Sequence, residues 1–562
     1  MLFVGEINNM RISKSICLCL FMLLIGLPIN VYAEDSANSS ETMQKSPIQP
    51  LKVIRKIKTF PEVNGIKPFD YCWNTKKITI DGDFSRPQGF LHTLTIGDNT
   101  SFTNPLPANY DPQKSIEWGK YPGLNMDILH KHGFTGKGAV IAYVDGPIGK
   151  NMPDFKEQYA GNTIHYVNNT EVERNMHGSA VLSLLLDKNI GTVPEVELYY
   201  YAIATWELDQ TRHSDALYQI IEKNKALNEN KKIRMVGFSD CINKSEKNAS
   251  AFKKAVEACE KEGIMVWFCD EYGSVSFIPY SDKNSFESLV TEYWWGNKKP
   301  GLVCVPCAGR TTSFVRDNLH YIYWAKGGLS WAMPYVLGLY AIAIEIDPSL
   351  TQENLRKLIV DTAYVSSEGL PIVNPVGFVA EVLKKVGRDS EAQVILDEVK
   401  ARTKYIYAVI NYKNVLESEL NVIEIQLAGI TDATVLVVDA SKYTDAQSIL
   451  NAIQSDSKNR GGIVEGVILF NAKDFPSSSQ IKDLGFHWPV EYYIADYLIT
   501  SEDGRAQRTM SLRKDEEHSE DKISIGPNYV LMYLGNFNCS TNISKKAKEN
   551  KKRKTKTNKN AK

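Results

Sequence analysis

Three residues of this chain have the types needed for nucleophilic catalysis, each among small or apolar neighbours. They are Asp145 at the end of AVIAYVDGP, His177 in MHGSAVLSLLL and Ser330 in GGLSWAMPYVLG. A serine hydroxyl is a weak nucleophile until an imidazole accepts its proton, and that imidazole needs a carboxylate to fix its tautomer. The chain supplies the three in the order Asp, His, Ser, with His177 32 residues after Asp145. The chemistry would be acyl transfer, with Ser330 attacking, His177 carrying the proton and Asp145 orienting the imidazole. Each residue also has a plainer reading. Asp145 before Gly146-Pro147 is a turn former, His177 is a neighbour of a helix start, and Ser330 is an N-cap.

The elements that must position these residues follow from hydrophobic period. From about residue 115 to 385, strand and helix patterns alternate: AVIAYVD, the helix GSAVLSLLLD, VELYYYAIA, the helix SDALYQIIEKNKAL, RMVGFSD, the helix SAFKKAVEACEKEG, IMVWFCD, GLVCVPCA and the apolar helix WAMPYVLGLYAIAIEI. This alternation implies an α/β fold, a parallel sheet with helices on both faces. Ligand-facing groups in such sheets sit at the carboxyl ends of strands and the starts of the following helices. Asp145, His177, Asp270 and Ser330 all fall there.

The segments GFTGKGAVIAYVD, His177-Gly178-Ser179 and Gly328-Leu329-Ser330-Trp331-Ala332-Met333-Pro334 resemble those of the subtilisin-like serine peptidases. Gly191-Thr192-Val193-Pro194, LTQENLRKLIVDTA and IVNPVGFVAEV around Asn374 extend the likeness over residues 115–386. The resemblance implies a subtilisin-like sheet, with Asp145, His177 and Ser330 as the catalytic triad of a cofactor-free endopeptidase. The structural calcium of that family is allowed, but no carboxylate cluster names its ligands. In that family the nucleophile sits at a helix start, where backbone N–H groups and the helix dipole stabilise developing negative charge.

The departures bear on activity. Gly146-Pro147 follows the Asp where Ser or Thr and Gly are usual, and Leu329 and Trp331 replace the Thr and Met around the nucleophile. In IMVWFCDEYG, Asp270 falls where the family's oxyanion-binding Asn would stand, with Glu271 beside it. An ionised carboxylate there repels the intermediate, and it donates a hydrogen bond only if protonated. Loss of one such donor costs about 10²–10³ in rate. The resemblance also implies a substrate laid as an added strand between Phe238-Ser239-Asp240-Cys241 and Phe268-Cys269-Asp270-Glu271. Ser239, Asp240, Cys241 and Glu271 are therefore the expected substrate-binding residues. An acidic pair there suggests a preference for Lys or Arg before the scissile bond, unless Asp240 points to solvent. The first reading is a slow or conditional peptidase. The second is a peptide-binding protein on the same scaffold, which the Asp270 substitution favours and the triad opposes. A surface adhesin is the third, resting on the basic tail alone.

The remaining sequence sets the surroundings. The chain has 562 residues, 43% hydrophobic and 23% charged, with a net charge of −1. That gives room for more than one domain and no global attraction to nucleic acid or membrane. Arg11 and Lys14 precede an apolar run from Ile16 to Leu27, with Val31-Tyr32-Ala33 as a cleavage site. This reads as an export leader over 1–33, and the mature protein is expected to be secreted or at the cell surface. No later stretch reads as long and apolar enough to span a bilayer. Residues 34–114 form an extension or a pro-segment, with short strands in KKITIDGD and TLTIGD. Cys304 and Cys307 read as core thiols, since no second pair has zinc-site spacing. From 387 to 540 the pattern restarts as a smaller α/β unit with strands in ARTKYIYAVINY, VIEIQLAG, TVLVVDA and IVEGVILFN. IVEGVILFN and WPVEYYIADYLITSEDG resemble the N-terminal part of gingipain-type cysteine peptidase domains. The His and Cys of that chemistry are expected further on than the chain runs, so the unit is read as a non-catalytic accessory domain of unknown partner. Lys545 to Lys562 carries ten basic residues and one Glu, within a tail over 541–562 that reads as solvated.

Overall fold

The computed structural model describes, apart from short gaps, residues 94–291, 302–410 and 434–470, with strands at 48–50, 490–502, 505–514 and 532–533. The export leader, the strands expected in KKITIDGD and VIEIQLAG, and the basic tail lie outside these residues.

The chain forms the expected parallel sheet with helices on both faces. Its strands are β1 (Val140–Asp145), β2 (Ile164–Asn168), β3 (Glu197–Ala202), β4 (Met235–Phe238) and β5 (Met265–Phe268). They lie in the order β2-β3-β1-β4-β5, every pair parallel. All six residues of β1 are buried, as a central strand covered on both sides requires. Ile141 and Tyr143 join one core with helices α1 (Met176–Leu186) and α4 (Ala332–Ile346). Val140, Ala142 and Val144 join a second with α2 (Thr211–Ala226) and α3 (Ala249–Lys261). Helices α1 and α4 are apolar nearly all round because protein encloses them, whereas α2 and α3 keep a polar face to solvent. The order reverses direction at β1, and α/β sheets ordinarily bind ligands beyond the carboxyl ends of the strands at such a point, here β1 and β4.

Two expectations need correction here. Leu329–Ile346 is 18 residues long and apolar enough to cross a membrane by length and composition, although no stretch after the leader was expected to be. It is instead 78% buried inside the protein, as the central helix of the main core. The strand in GLVCVPCA, Cys304–Ala308, does not extend the first sheet. It pairs in parallel with Gly273–Phe277 in a separate mixed sheet, because the turn Cys269–Glu271 leads the chain away after β5.

The second unit has parallel strands Lys404–Ile410, Thr434–Asp439 and Ile463–Phe470, with helix Ala446–Arg460 packed on them. Its boundary falls after Arg402 and not at 386. Helix Asp389–Arg402 buries Ala392 and Ile395 in the main core. Arg402 grips Asp127 with contacts of 2.7 and 2.9 Å, and Glu398 accepts from Lys131 at 2.6 Å and meets His132 at 2.9 Å. Gly387, at φ +76°, makes the tight turn between helices Pro375–Lys385 and Asp389–Arg402. The extension before residue 115 reaches both units. Leu94, Ile96 and Tyr110 pack with Ile116 and Tyr323, and Ile48–Pro50 pairs antiparallel with Thr434–Asp439.

Candidate active site

Asp145 is the last residue of β1 and is 2% exposed, so it is held on all sides by the sheet end. Its Oδ1 accepts from the Gly146 N–H at 2.6 Å and lies 2.7 Å from His177 Nδ1. The proton is assigned to Nδ1 because a carboxylate only accepts, which leaves Nε2 with its lone pair outward. His177 is the second residue of α1, whose N-cap is Asn175. The Asn175 side chain accepts the His177 N–H at 2.7 Å, and its own N–H donates to the Pro147 carbonyl at 2.6 Å. This ties the helix start to the end of β1. Gly178 completes the junction, since a Cβ there would stand 2.1 Å from the Gly146 carbonyl oxygen. The His177 side chain is 28% exposed. Burial by itself would lower its pKa. The Asp145 charge, the Asp145 hydrogen bond and the more distant Asp240 charge together outweigh burial and raise the pKa above the ordinary 6.5.

Ser330 lies in the turn Leu329–Trp331 that leads directly into α4, partly exposed and at the positive end of that helix dipole. The next residue, Trp331, is 4% exposed and stacks on the His177 ring with centroids 5.3 Å apart. The Ser330 hydroxyl donates to the Ser239 carbonyl at 3.3 Å, so its proton is directed there and not to His177. In return Ser239 Oγ donates to the Ser330 carbonyl at 3.1 Å and shares a 2.7 Å contact with Tyr143 OH. Burial first, then the nearby Asp145 charge, holds the Tyr143 phenol well above its ordinary pKa, so it remains a donor. The two turns that meet at the ends of β4 and α4 are therefore clasped reciprocally.

The other expected residues separate. Ser239 serves the clasp. Asp240 is one-third exposed; its Oδ1 accepts the Cys241 N–H at 2.8 Å, and its Oδ2 lies 3.3 Å from Nε2 of buried His213. Cys241 is half-buried, and its carbonyl accepts from Gln210 at 2.9 Å. The turn Cys269–Glu271 packs against the turn of Ser330. Within it Cys269 is buried, Asp270 is exposed, and Glu271 is turned to Arg356, which donates at 2.8 and 3.1 Å. Glu271 Oε1 also accepts the Phe268 N–H at 3.2 Å, so both carboxylate oxygens are engaged and neither is offered to a substrate. Burial raises the Glu271 pKa, and Arg356 opposes that shift.

Sequence reasoning missed Asn175 and Tyr143 as contributors, and it marked Trp331 as a departure beside Ser330 without its stacking on His177. Asn175 carried a signal, an N-cap type one residue before a helix. The contacts of Tyr143 and Trp331 join segments distant in the chain. Among the described residues no group of three or more His, Cys, Asp or Glu is placed to hold a metal ion.

No family model matches the sequence, and no curated protein matches it. Among solved structures the chain is similar to the prenylagaramide maturation protease PagA, with 14% identity over 46% of this chain and 98% of that one, at a TM-score of 0.34. It is also similar to a chain of the subtilase cytotoxin SubAB assembly, with 13% identity over 49% and 99% and a TM-score of 0.38. A protease from Pseudoalteromonas arctica PAMC 21717 gives 15% identity over 48% and 98%, with a TM-score of 0.34.

Proposed function

We propose that this protein is an exported subtilisin-like serine endopeptidase acting through an acyl-enzyme on Ser330. The observation that carries the reading is the 2.7 Å contact between buried Asp145 and His177, with His177 stacked on the residue next to Ser330. On substrate binding the Ser330 hydroxyl turns from the Ser239 carbonyl to His177 Nε2, and its oxygen attacks the peptide carbonyl carbon as Nε2 takes the proton. Asp145 stabilises the imidazolium. The Ser330 N–H and the start of α4 face the developing oxyanion. Collapse breaks the C–N bond while Nε2 protonates the leaving amine. Water then gives a proton to the same imidazole and attacks the acyl carbon, and Nε2 returns that proton to Ser330 Oγ as the ester C–O bond breaks and the acid leaves.

A second reading, a weakly active or inactive peptide-binding protein, has two supports. The Ser330 proton is already held by Ser239, and the exposed residue at the expected oxyanion position is the carboxylic Asp270. Incubating the full chain with a mixed peptide library and reading new termini by mass spectrometry separates the two. New termini lost in Ser330→Ala support the peptidase. Peptides retained intact by the wild type and by Ser330→Ala support the binder.

A further inference from the structure

Tyr143 and Tyr200 lie opposite each other in β1 and β3, both fully buried, with rings nearly parallel and centroids 6.4 Å apart. Their hydroxyls serve different turns. Tyr143 OH is 2.7 Å from Ser239 Oγ, and Ser239 Oγ is 3.1 Å from the Ser330 carbonyl. Ser239 has one hydroxyl proton and gives it to that carbonyl, so the Tyr143 phenol is the donor to Ser239. On its other side Tyr143 is aligned with Gly237 of β4. A Cβ on Gly237 would stand 3.2 Å from the Tyr143 ring, so the missing side chain leaves the ring the room from which its hydroxyl reaches Ser239. Tyr200 OH donates to the Gly146 carbonyl at 2.7 Å. That is the junction between the end of β1 and the start of α1, where a Cβ on Gly178 would stand 2.1 Å from the Gly146 oxygen and 2.8 Å from Tyr200 OH. Tyr143 and Asp145 are two residues apart in β1 and so share one of its faces.

We propose that Tyr143 and Tyr200 are positioning residues that set the two sides of the site against one another. Tyr143 acts through Ser239 to hold the turn that carries Ser330. Tyr200 acts through the Gly146 carbonyl to hold the junction that carries Asp145 and His177. The stacked rings make one rigid floor beneath both, and β1 registers the nucleophile and the orienting carboxylate on one face. The consequence for the reactivity of Ser330 rests on the peptidase reading, but the hold on the two turns does not.

The test follows amide hydrogen exchange of the full chain by mass spectrometry, a readout that needs no turnover. Tyr143→Phe removes only the hydroxyl. It should raise exchange in the peptide holding Leu329–Trp331, where the Trp331 N–H donates to the Gly328 carbonyl at 2.9 Å, and leave the peptide holding Asn175–Gly178 unchanged. Tyr200→Phe should do the reverse. Gly237→Ala displaces the Tyr143 ring from the β4 side, should repeat the Tyr143→Phe pattern, and decides the point if that variant does not fold. Labelling by a fluorophosphonate, which reacts with activated serines, should slow roughly three- to tenfold in Tyr143→Phe, the effect of one hydrogen bond. Adding Tyr143→Phe to Ser239→Ala should slow it no further than Ser239→Ala alone, because the tyrosine acts through that hydroxyl. Exchange raised equally in both peptides by both tyrosine variants, exchange unchanged in either, or labelling losses that multiply in the pair would overturn the proposal. Absence of labelling in the wild type would instead count against the peptidase reading, and the exchange pattern would still decide the role of the tyrosines.

Discussion

Asp145 and His177 stand 2.7 Å apart, and on the proposed peptidase reading the weak point of the site is the opposite side of Ser330. There Asp270 offers an exposed carboxylate on a turn that packs against the turn of Ser330. A negative charge beside a developing oxyanion raises the barrier, and a neutral amide of the same shape lowers it. Asp270→Asn should therefore speed fluorophosphonate labelling by roughly tenfold to a hundredfold, within the effect of a single oxyanion donor. The check is the second-order labelling constant at one pH, with Glu271→Gln beside it. That companion change breaks the Arg356 pair and should lower stability without speeding labelling. An equal or slower rate in Asp270→Asn would remove Asp270 from the oxyanion region.

The proposed triad depends on how closely a strand end and a helix start approach. A methyl on Gly178 would meet the Gly146 carbonyl at 2.1 Å, so Gly178→Ala must push α1 away from β1. Gly328 has nothing within 4 Å of its would-be Cβ. Gly178→Ala should lower the melting temperature and the labelling rate together, whereas Gly328→Ala should leave the melting temperature unchanged. Much at this scale was legible in sequence, because β1, β4, α1 and α4 announce themselves by apolar period and by turn residues at their ends. Asp145, His177 and Ser330 are therefore placed at element ends by the sequence pattern itself. The clasp between Ser239 and Ser330, the stacking of Trp331 on His177, and the commitment of Glu271 to Arg356 were not legible. Each joins segments distant in the chain, and no local period encodes such a pairing.

At the scale of the molecule, the two units divide after Arg402, and the helix before that point belongs to the first. A chain ending at Val386 loses Ala392 and Ile395 from the main core and the Arg402 grip on Asp127. Burying two such side chains contributes on the order of 2–4 kcal/mol, so that chain should melt well below one ending at Arg402. Equal melting temperatures by calorimetry would return the boundary to 386. The sequence misled here because Gly387 ends one helix and the next begins a new pattern, and only packing shows that both cover the same core. The whole arrangement serves one claim, that Ser330 is an activated nucleophile supported by His177 and Asp145. It is tested most directly by exposing the full chain to a fluorophosphonate, measuring intact mass and mapping the modified peptide. One phosphonyl group on the peptide containing Ser330, absent in Ser330→Ala and strongly slowed in His177→Ala, is the expected result. An unmodified wild-type chain at every pH from roughly 5 to 10, a range that brackets the ordinary imidazole pKa, or modification that persists in Ser330→Ala, would contradict it.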